Sequence, residues 1–106
     1  MSFDEARSYR LTSRALDDLE FTWRHTAETW SLNRADAYTD ELTRVFETLA
    51  VFPILARERK EFNPPVRIHV HESHLIIYLF TDQEVVIIRL LGGRQDWYSI
   101  LKAAEG

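Results

Sequence analysis

Two apolar stripes at helical spacing dominate the first half of the chain. The first recurs at steps of three and four residues, which place its members on one face of an α-helix over residues 13 to 30. Thr12 or Ser13 can accept from the first free amides of that helix, while Asp17 and Asp18 are interpreted as solvated charges that match the helix dipole. The stripe consists of Leu16, Leu19, Trp23, Thr26, Ala27 and Trp30.

A second stripe predicts a second helix that follows almost at once. The break at residues 31 to 33 is short, Asn33 is a candidate cap, and Pro53 ends the pattern because proline lacks the amide that a helix needs. A connection this short predicts an antiparallel helical hairpin whose apolar faces share one partner. The second stripe consists of Ala35, Tyr38, Leu42, Val45, Phe46, Leu49 and Phe52.

From residue 66 the apolar period changes from helical spacing to two, which is typical of a strand with one buried face. Strands are predicted over residues 66 to 71, 75 to 80 and 84 to 91, with a short first strand over residues 8 to 12. The continuous apolar runs of the last two strands indicate cover on both faces of the sheet. Residues 54 to 65 are predicted to form an ordered loop, and Asp96 is predicted to cap a closing helix over residues 97 to 103.

The order strand, two helices, three-stranded meander and short helix predicts an α+β fold. In it a helical hairpin packs on a small antiparallel sheet, and residues 1 to 106 form a single domain.

Composition narrows the functional class only modestly. The chain is 45% hydrophobic, carries a net charge of −4 and has no cysteine, which fits a folded protein in a reducing compartment. Its start, residues 1 to 5, is acidic where a secretory signal would be basic, so a cytoplasmic location without a membrane anchor is expected. The acidic balance disfavours general nucleic-acid binding, although the basic residues are mostly arginines, which suit local anion contacts.

Several motifs, in order and with matching spacing, resemble the ParE branch of the RelE/ParE toxin superfamily. They include Tyr9-Arg10-Leu11-Thr12 near the start, Leu49-Ala50 shortly before Pro53, and the interval from Arg67 to His74 followed by Tyr78. The resemblance implies a toxin of a bacterial type II toxin-antitoxin pair that inhibits DNA gyrase without catalysing a reaction or using a cofactor. It also implies a hetero-oligomer with a ParD-like antitoxin whose C-terminal segment folds on the toxin.

The resemblance assigns target binding to a group of polar residues in and beyond the strands. These are Arg67, Tyr78, Arg89, Arg94 and Asp96. If Arg89 and Arg94 face the target, replacing either with alanine should abolish toxicity and leave the fold intact. The alternative is that these arginines are structural and pair with carboxylates such as Asp96 or with backbone carbonyls.

A RelE-like, ribosome-dependent mRNA endonuclease is the second functional hypothesis. RNA cleavage needs an acid, a base and cations, which Tyr78 or Tyr98 and the three arginines would have to supply. Relatives commonly carry a histidine where Gly92 stands, and its loss removes a group that titrates near neutrality. The sequence therefore favours a binding edge, and no catalytic residue is assigned.

Antitoxin contact is assigned to aromatic and basic side chains outside the strands. Trp23 and Trp30 lie on the first apolar stripe and fit either the core or a partner surface, and Arg57 and Arg59 fit a solvated loop or the docking of an acidic antitoxin segment.

Three histidines, at positions 69, 71 and 74, raise the question of a metal site, with Glu72 as a further ligand. We interpret them as exposed polar positions opposite a buried face, and no metal site is predicted.

Overall fold

The computed structural model describes residues 7–105 and has the predicted α+β architecture. The acidic start, residues 1 to 5, lies outside the described part of the chain. The helices are α1 (Ser13–Thr29), α2 (Leu32–Val51) and α3 (Trp97–Ala103). The strands are β1 (Ser8–Leu11), β2 (Glu58–Arg59), β3 (Val66–His71), β4 (His74–Phe80) and β5 (Glu84–Gly92).

A short polar side chain caps the N-terminus of each of the three α-helices. Thr12 accepts from the Ala15 amide and starts α1, and Ser31 accepts from the Arg34 amide and starts α2, so Ser31 rather than Asn33 is the cap. Asp96 caps α3 as predicted, because its Oδ1 accepts from the Ser99 amide at 3.3 Å.

The five strands form one sheet in the order β1-β5-β4-β3-β2. The meander β3-β4-β5 is antiparallel, but β1 pairs parallel with β5, with Ser8 opposite Glu84 and Leu11 opposite Ile87. The prediction of a wholly antiparallel sheet was therefore wrong in this detail. The helical hairpin connects β1 to the meander, and so long a connection permits either direction, whereas a tight turn enforces antiparallel pairing.

The helical hairpin covers one face of the sheet, and the opposite face is covered by α3 and the loop around Phe62. Cover on both faces confirms the interpretation of the continuous apolar runs. Each large side chain fully buried in this core contributes on the order of 1.5 to 3 kcal/mol. The helix-side cluster consists of Ala15, Leu42, Phe46, Leu49, Ala50, Ile76, Tyr78, Val85, Ile87 and Leu90.

A β-bulge in β5 changes which side chains meet the helices. Ile77 pairs with Arg89 and Tyr78 pairs with Ile87, so Ile88 is an extra residue opposite β4. Because of the bulge, Ile87 and Leu90 both enter the helix-side cluster, although an odd interval would put them on opposite faces of a regular strand.

The segment predicted as a loop contains a 3₁₀ turn, Pro53–Leu55, and the two-residue strand β2. β2 pairs with the start of β3 and extends the sheet by one short edge strand. Among the described residues, no helix is both long and apolar enough to cross a membrane.

Candidate functional site

The end of β5 is tied to α1 by one half-buried ion pair. Arg89 donates from Nε and Nη2 to the two carboxylate oxygens of Asp18, at 2.8 and 3.0 Å, and the Leu90 amide donates to Asp18 Oδ2 at 2.9 Å. The two side chains are only 16% and 15% exposed. Hydrogen bonding to Asp18 raises the pKa of Arg89 further above its usual value. Asp18 is therefore a structural anchor, and its interpretation as a solvated helix charge was wrong.

Next to this ion pair lies a cleft of about 810 Å³ between α1 and the turns beyond β3 and β5. Phe21, which is 65% exposed, lies on its α1 side with the His25 ring stacked 6.1 Å away. The opposite wall consists of Ser73, His74, Gly92, Gly93, Arg94 and Gln95. The residues that end β5 and follow it thus form part of one wall of a cleft.

Two hydrogen bonds hold the double glycine in place. The Gly93 amide donates to the Ser73 carbonyl oxygen at 2.7 Å, and the Gly92 amide donates to Gln95 Oε1 at 2.7 Å. Gly92 and Gly93 therefore connect the end of β5 to the β3–β4 turn and fix the backbone from which Arg94 projects.

Arg94 is exposed and lines the cleft. Among the described residues it forms no salt bridge, in contrast to Arg89. Asp96 follows two residues later, where its carboxylate caps α3. Within the predicted target-binding set, Arg94 is the side chain that both lines the cleft and keeps its charge available.

The structure places Tyr78 in the core and not on a target-facing surface. Its side chain is 0% exposed, and its hydroxyl donates to the Pro53 carbonyl oxygen at 2.8 Å and accepts from the Ala56 amide at 3.4 Å. Burial raises the pKa of Tyr78 above its ordinary value. Assigning Tyr78 to target binding was therefore wrong, and a buried, weakly acidic hydroxyl is equally unsuited to general acid catalysis.

Arg67 belongs with Tyr78 and not with the cleft. It lies opposite Tyr78 in the sheet, its Nη1 donates to the Ala56 carbonyl oxygen at 2.6 Å, and its guanidinium lies 5.2 Å from the Phe80 ring centroid. Arg67 and Tyr78 together fasten the 3₁₀ turn and the residues after it to the sheet.

The four residues assigned to antitoxin binding do not form one patch. Trp23 donates from Nε1 to Asp36 and joins α1 to α2, whereas Trp30 is 69% exposed at the tip of the hairpin beside Arg34. Arg57 and Arg59 lie beyond the other end of α2, a helix of 20 residues that is about 30 Å long.

An exposed apolar segment that the sequence patterns did not predict lies beside Arg57, and we call it the apolar segment 51–55. Its four large side chains are all at least half exposed. Three of them lie outside the second apolar stripe, but Phe52 belongs to that stripe and had been predicted to be buried. Proline at position 53 ends α2, and the 3₁₀ turn that follows buries Pro53 itself while the large side chains on either side of it stay exposed. The exposed side chains are Val51, Phe52, Ile54 and Leu55.

The histidines separate into distinct environments. The hydroxyl of Tyr38 lies 2.8 Å from His74 Nδ1, and burial raises the pKa of Tyr38 to about 12 while it lowers the pKa of His74. Burial also lowers the pKa of His69.

His71 lies against two carboxylates, one from α2 and one from the β3–β4 turn. Its Nε2 is 2.5 Å from Glu41 Oε2 and 3.8 Å from Glu72 Oε2. A hydrogen bond between the two carboxyl groups raises the pKa of Glu72 and lowers that of Glu41, which His71 lowers further. The prediction that the three histidines are exposed was wrong, because His69, His71 and His74 are each partly buried.

Comparison with known proteins agrees with the resemblance in the motifs. Residues 9–97 match the family model for the ParE toxin of the type II toxin-antitoxin system parDE. The chain belongs to the ParE toxin family. Its membership confirms the sequence-based identification of a type II toxin-antitoxin toxin.

Individual relatives of this ParE-family chain agree with the family model. Toxin ParE3 of Caulobacter vibrioides is 30% identical over 79 residues, which cover 74% of the chain and 79% of that protein. Toxin ParE1 of Mycobacterium tuberculosis is 29% identical over 89 residues, which cover 83% and 91%. A chromosomal ParDE toxin-antitoxin system from P. aeruginosa has the same fold, with a TM-score of 0.70 at 18% identity over 83% of this chain and 97% of that one.

Proposed function

We propose that this ParE-family toxin acts in the cytoplasm by inhibiting DNA gyrase, and that a ParD-like antitoxin neutralises it. Gyrase as the target is what the family resemblance implies. The observation that supports a binding mechanism is the cleft beside the end of β5, where Arg94 presents a cation that no carboxylate among the described residues neutralises. We infer that Arg94 and the adjoining wall of the cleft contact the target.

The contents of the cleft argue against the endonuclease alternative. The two tyrosines considered as acids are elsewhere, since Tyr78 is buried in the core and Tyr98 packs 5.3 Å from the Phe62 ring on the opposite face of the sheet. Arg89, a second required cation, is neutralised by Asp18. What remains of the lining includes Arg94, Asp17 and two histidines, so the cleft keeps one of the three cations that the endonuclease hypothesis requires.

Induction in bacteria without the antitoxin separates the hypotheses. We expect colony counts to fall by at least about a hundredfold, plasmid DNA to lose negative supercoils or break, and messages to stay intact. Arg94→Ala should restore growth while the protein accumulates to the wild-type level. Codon-positioned cuts in messages with normal supercoiling would instead establish the endonuclease, and unaffected growth would show that the chain is not toxic.

For the antitoxin we propose a contact at the apolar segment 51–55 and the adjacent Arg57. Exposed apolar side chains beside an arginine fit an amphipathic antitoxin segment that carries both apolar and acidic residues. Trp30, at the far tip of the hairpin, would then contribute little.

Replacing Ile54, which is 73% exposed, with aspartate should weaken the binding of the cognate antitoxin by at least about tenfold, because the charge must be desolvated at the interface. Titration calorimetry with purified proteins measures this affinity. Val70→Asp is the matched control, since Val70 is 63% exposed on β3 and should bind as wild type. Unchanged binding of Ile54→Asp together with lost binding of Trp30→Ala would move the contact to the hairpin tip.

A further inference from the structure

Three side chains from two distant parts of the sequence converge above the β3–β4 turn. Glu41 comes from the middle of α2, His71 from the last position of β3, and Glu72 from the turn itself. One ligand atom from each, an imidazole nitrogen and two carboxylate oxygens, lies within 4.8 Å of the other two. We propose that Glu41, His71 and Glu72 bind a zinc-like divalent cation.

The donor set selects the class of metal. One imidazole nitrogen with carboxylate oxygens is a set that Zn²⁺ accepts, with three protein ligands and a fourth position for water. Ca²⁺ and Mg²⁺ prefer six or more oxygen ligands or retain most of their waters, so an imidazole-containing set of three suits them poorly. Ni²⁺, Co²⁺ and Cu²⁺ share the preference for imidazole and are expected to compete.

The geometry needs only small side-chain movements to hold an ion. In a tetrahedral zinc site, bonds of about 2.1 Å place the ligand atoms about 3.4 Å apart. His71 Nε2 lies 2.5 Å from Glu41 Oε2 and 3.8 Å from Glu72 Oε2, so these two separations bracket the required value. The Glu41 and Glu72 side chains are 41% and 58% exposed and can rotate, while His71, at 20%, is the more fixed ligand.

The charges around the cluster favour a cation. Two carboxyl groups meet one imidazole, so the three ligands together carry a negative charge once both carboxyl groups are ionised and the imidazole is neutral, which is the state in which they bind a metal. Arg34 and Arg44 are near enough to influence Glu72 and Glu41, but neither donates to them among the described hydrogen bonds. Tyr38 stacks on His71 at 6.1 Å between ring centroids and is hydrogen-bonded to His74 Nδ1, and His74 lies outside the ligand set.

A bound ion would connect α2 to the β3–β4 turn. Ser73, the residue after Glu72, accepts from Gly93 and lines the cleft, so the ion would also hold one wall of that cleft in place. Zinc would therefore stabilise the folded chain by an amount that grows with the logarithm of its concentration above Kd.

The test uses the full chain without a polyhistidine tag and titrates it with ZnCl₂ in a calorimeter. We expect one ion per chain, and Co²⁺ should give the visible absorption of a tetrahedral site. His71→Ala and, separately, Glu41→Gln should each weaken zinc binding by about a hundredfold, because each removes one of three ligands. His69→Ala is the matched control, since His69 lies two residues earlier on the same strand and outside the cluster, and it should retain wild-type affinity.

Circular dichroism establishes that each variant is folded before titration, and Glu41→Gln provides a variant of nearly the same shape if His71→Ala does not fold. Absence of saturable zinc binding to the wild-type chain would overturn the proposal. So would wild-type affinity in both ligand variants, or loss of binding in His69→Ala.

Discussion

Replacing Tyr78 with alanine is expected to lower the free energy of unfolding by about 3 to 5 kcal/mol, the range for removing a large aromatic side chain from a packed core. Tyr78 is the largest of the fully buried side chains, and its hydroxyl also fastens the 3₁₀ turn through Pro53 and Ala56. Since domains of this size are stable by only about 5 to 15 kcal/mol, the variant should be close to unfolding. Urea denaturation followed by circular dichroism measures the change.

The conservative variant separates the hydroxyl from the ring. Tyr78→Phe keeps the packing but leaves the buried Pro53 carbonyl without its donor, which should cost about 1 to 2 kcal/mol. Tyr98→Phe is the control, because Tyr98 is 44% exposed and should change stability by less than about 0.5 kcal/mol. A Tyr78→Phe protein as stable as wild type would show that the buried hydroxyl does not support the turn.

The second large effect concerns Asp18 and Arg89. Removing either partner should lower the free energy of unfolding by about 2 to 4 kcal/mol, because it leaves a half-buried charge without its counter-charge. Asp18→Ala additionally leaves the Leu90 amide without an acceptor. The double variant should cost less than the sum of the two single ones, since the second substitution removes a group that the first had already isolated.

Arg94→Ala is the matched control for stability and the critical variant for function. Arg94 is exposed and forms no salt bridge among residues 7–105, so its removal should change stability by less than about 0.5 kcal/mol. We expect Arg94→Ala to fold normally and lose toxicity, whereas Arg89→Ala loses toxicity because it is destabilised. Wild-type stability of Arg89→Ala and Asp18→Ala would return Arg89 to the list of target-binding residues.

Local patterns predicted the elements of this fold well, because each element depends mainly on its own residues. Helix α3 was placed at residues 97 to 103 by one capping residue, Asp96, and the change of apolar period at Val66 marked the start of β3. The cover on both faces of the sheet followed from the continuous apolar runs alone.

Pairings between distant parts of the chain could not be predicted from those patterns. Asp18 and Arg89 are 71 positions apart, and their isolated contexts resemble a solvated helix charge and a target-facing arginine. The parallel pairing of β1 with β5 could not be predicted either. Periodicity determines which face of the sheet a residue occupies, but it does not determine which strand lies beside it.

In the candidate sites, too, features that depend on neighbouring residues were predicted and contacts between distant residues were not. Arg94 was assigned to target binding from the family motif, and it lies on the wall of the cleft. Tyr78 lies inside a continuous apolar run, which predicts a buried side chain. The family motif instead assigned Tyr78 to target binding, and that assignment was wrong. Glu41 is 30 positions from His71, so no local pattern could have brought the two residues together.

The proposed inhibition of DNA gyrase by this ParE-family toxin can be tested in a supercoiling assay with purified components. Relaxed plasmid, gyrase and ATP are incubated with increasing amounts of the toxin, and the topoisomers are separated on a gel. We predict that supercoiling is lost, that cleaved plasmid accumulates when the complex is denatured, and that Arg94→Ala leaves gyrase active. Full gyrase activity at a large excess of folded wild-type protein would rule out gyrase as the target.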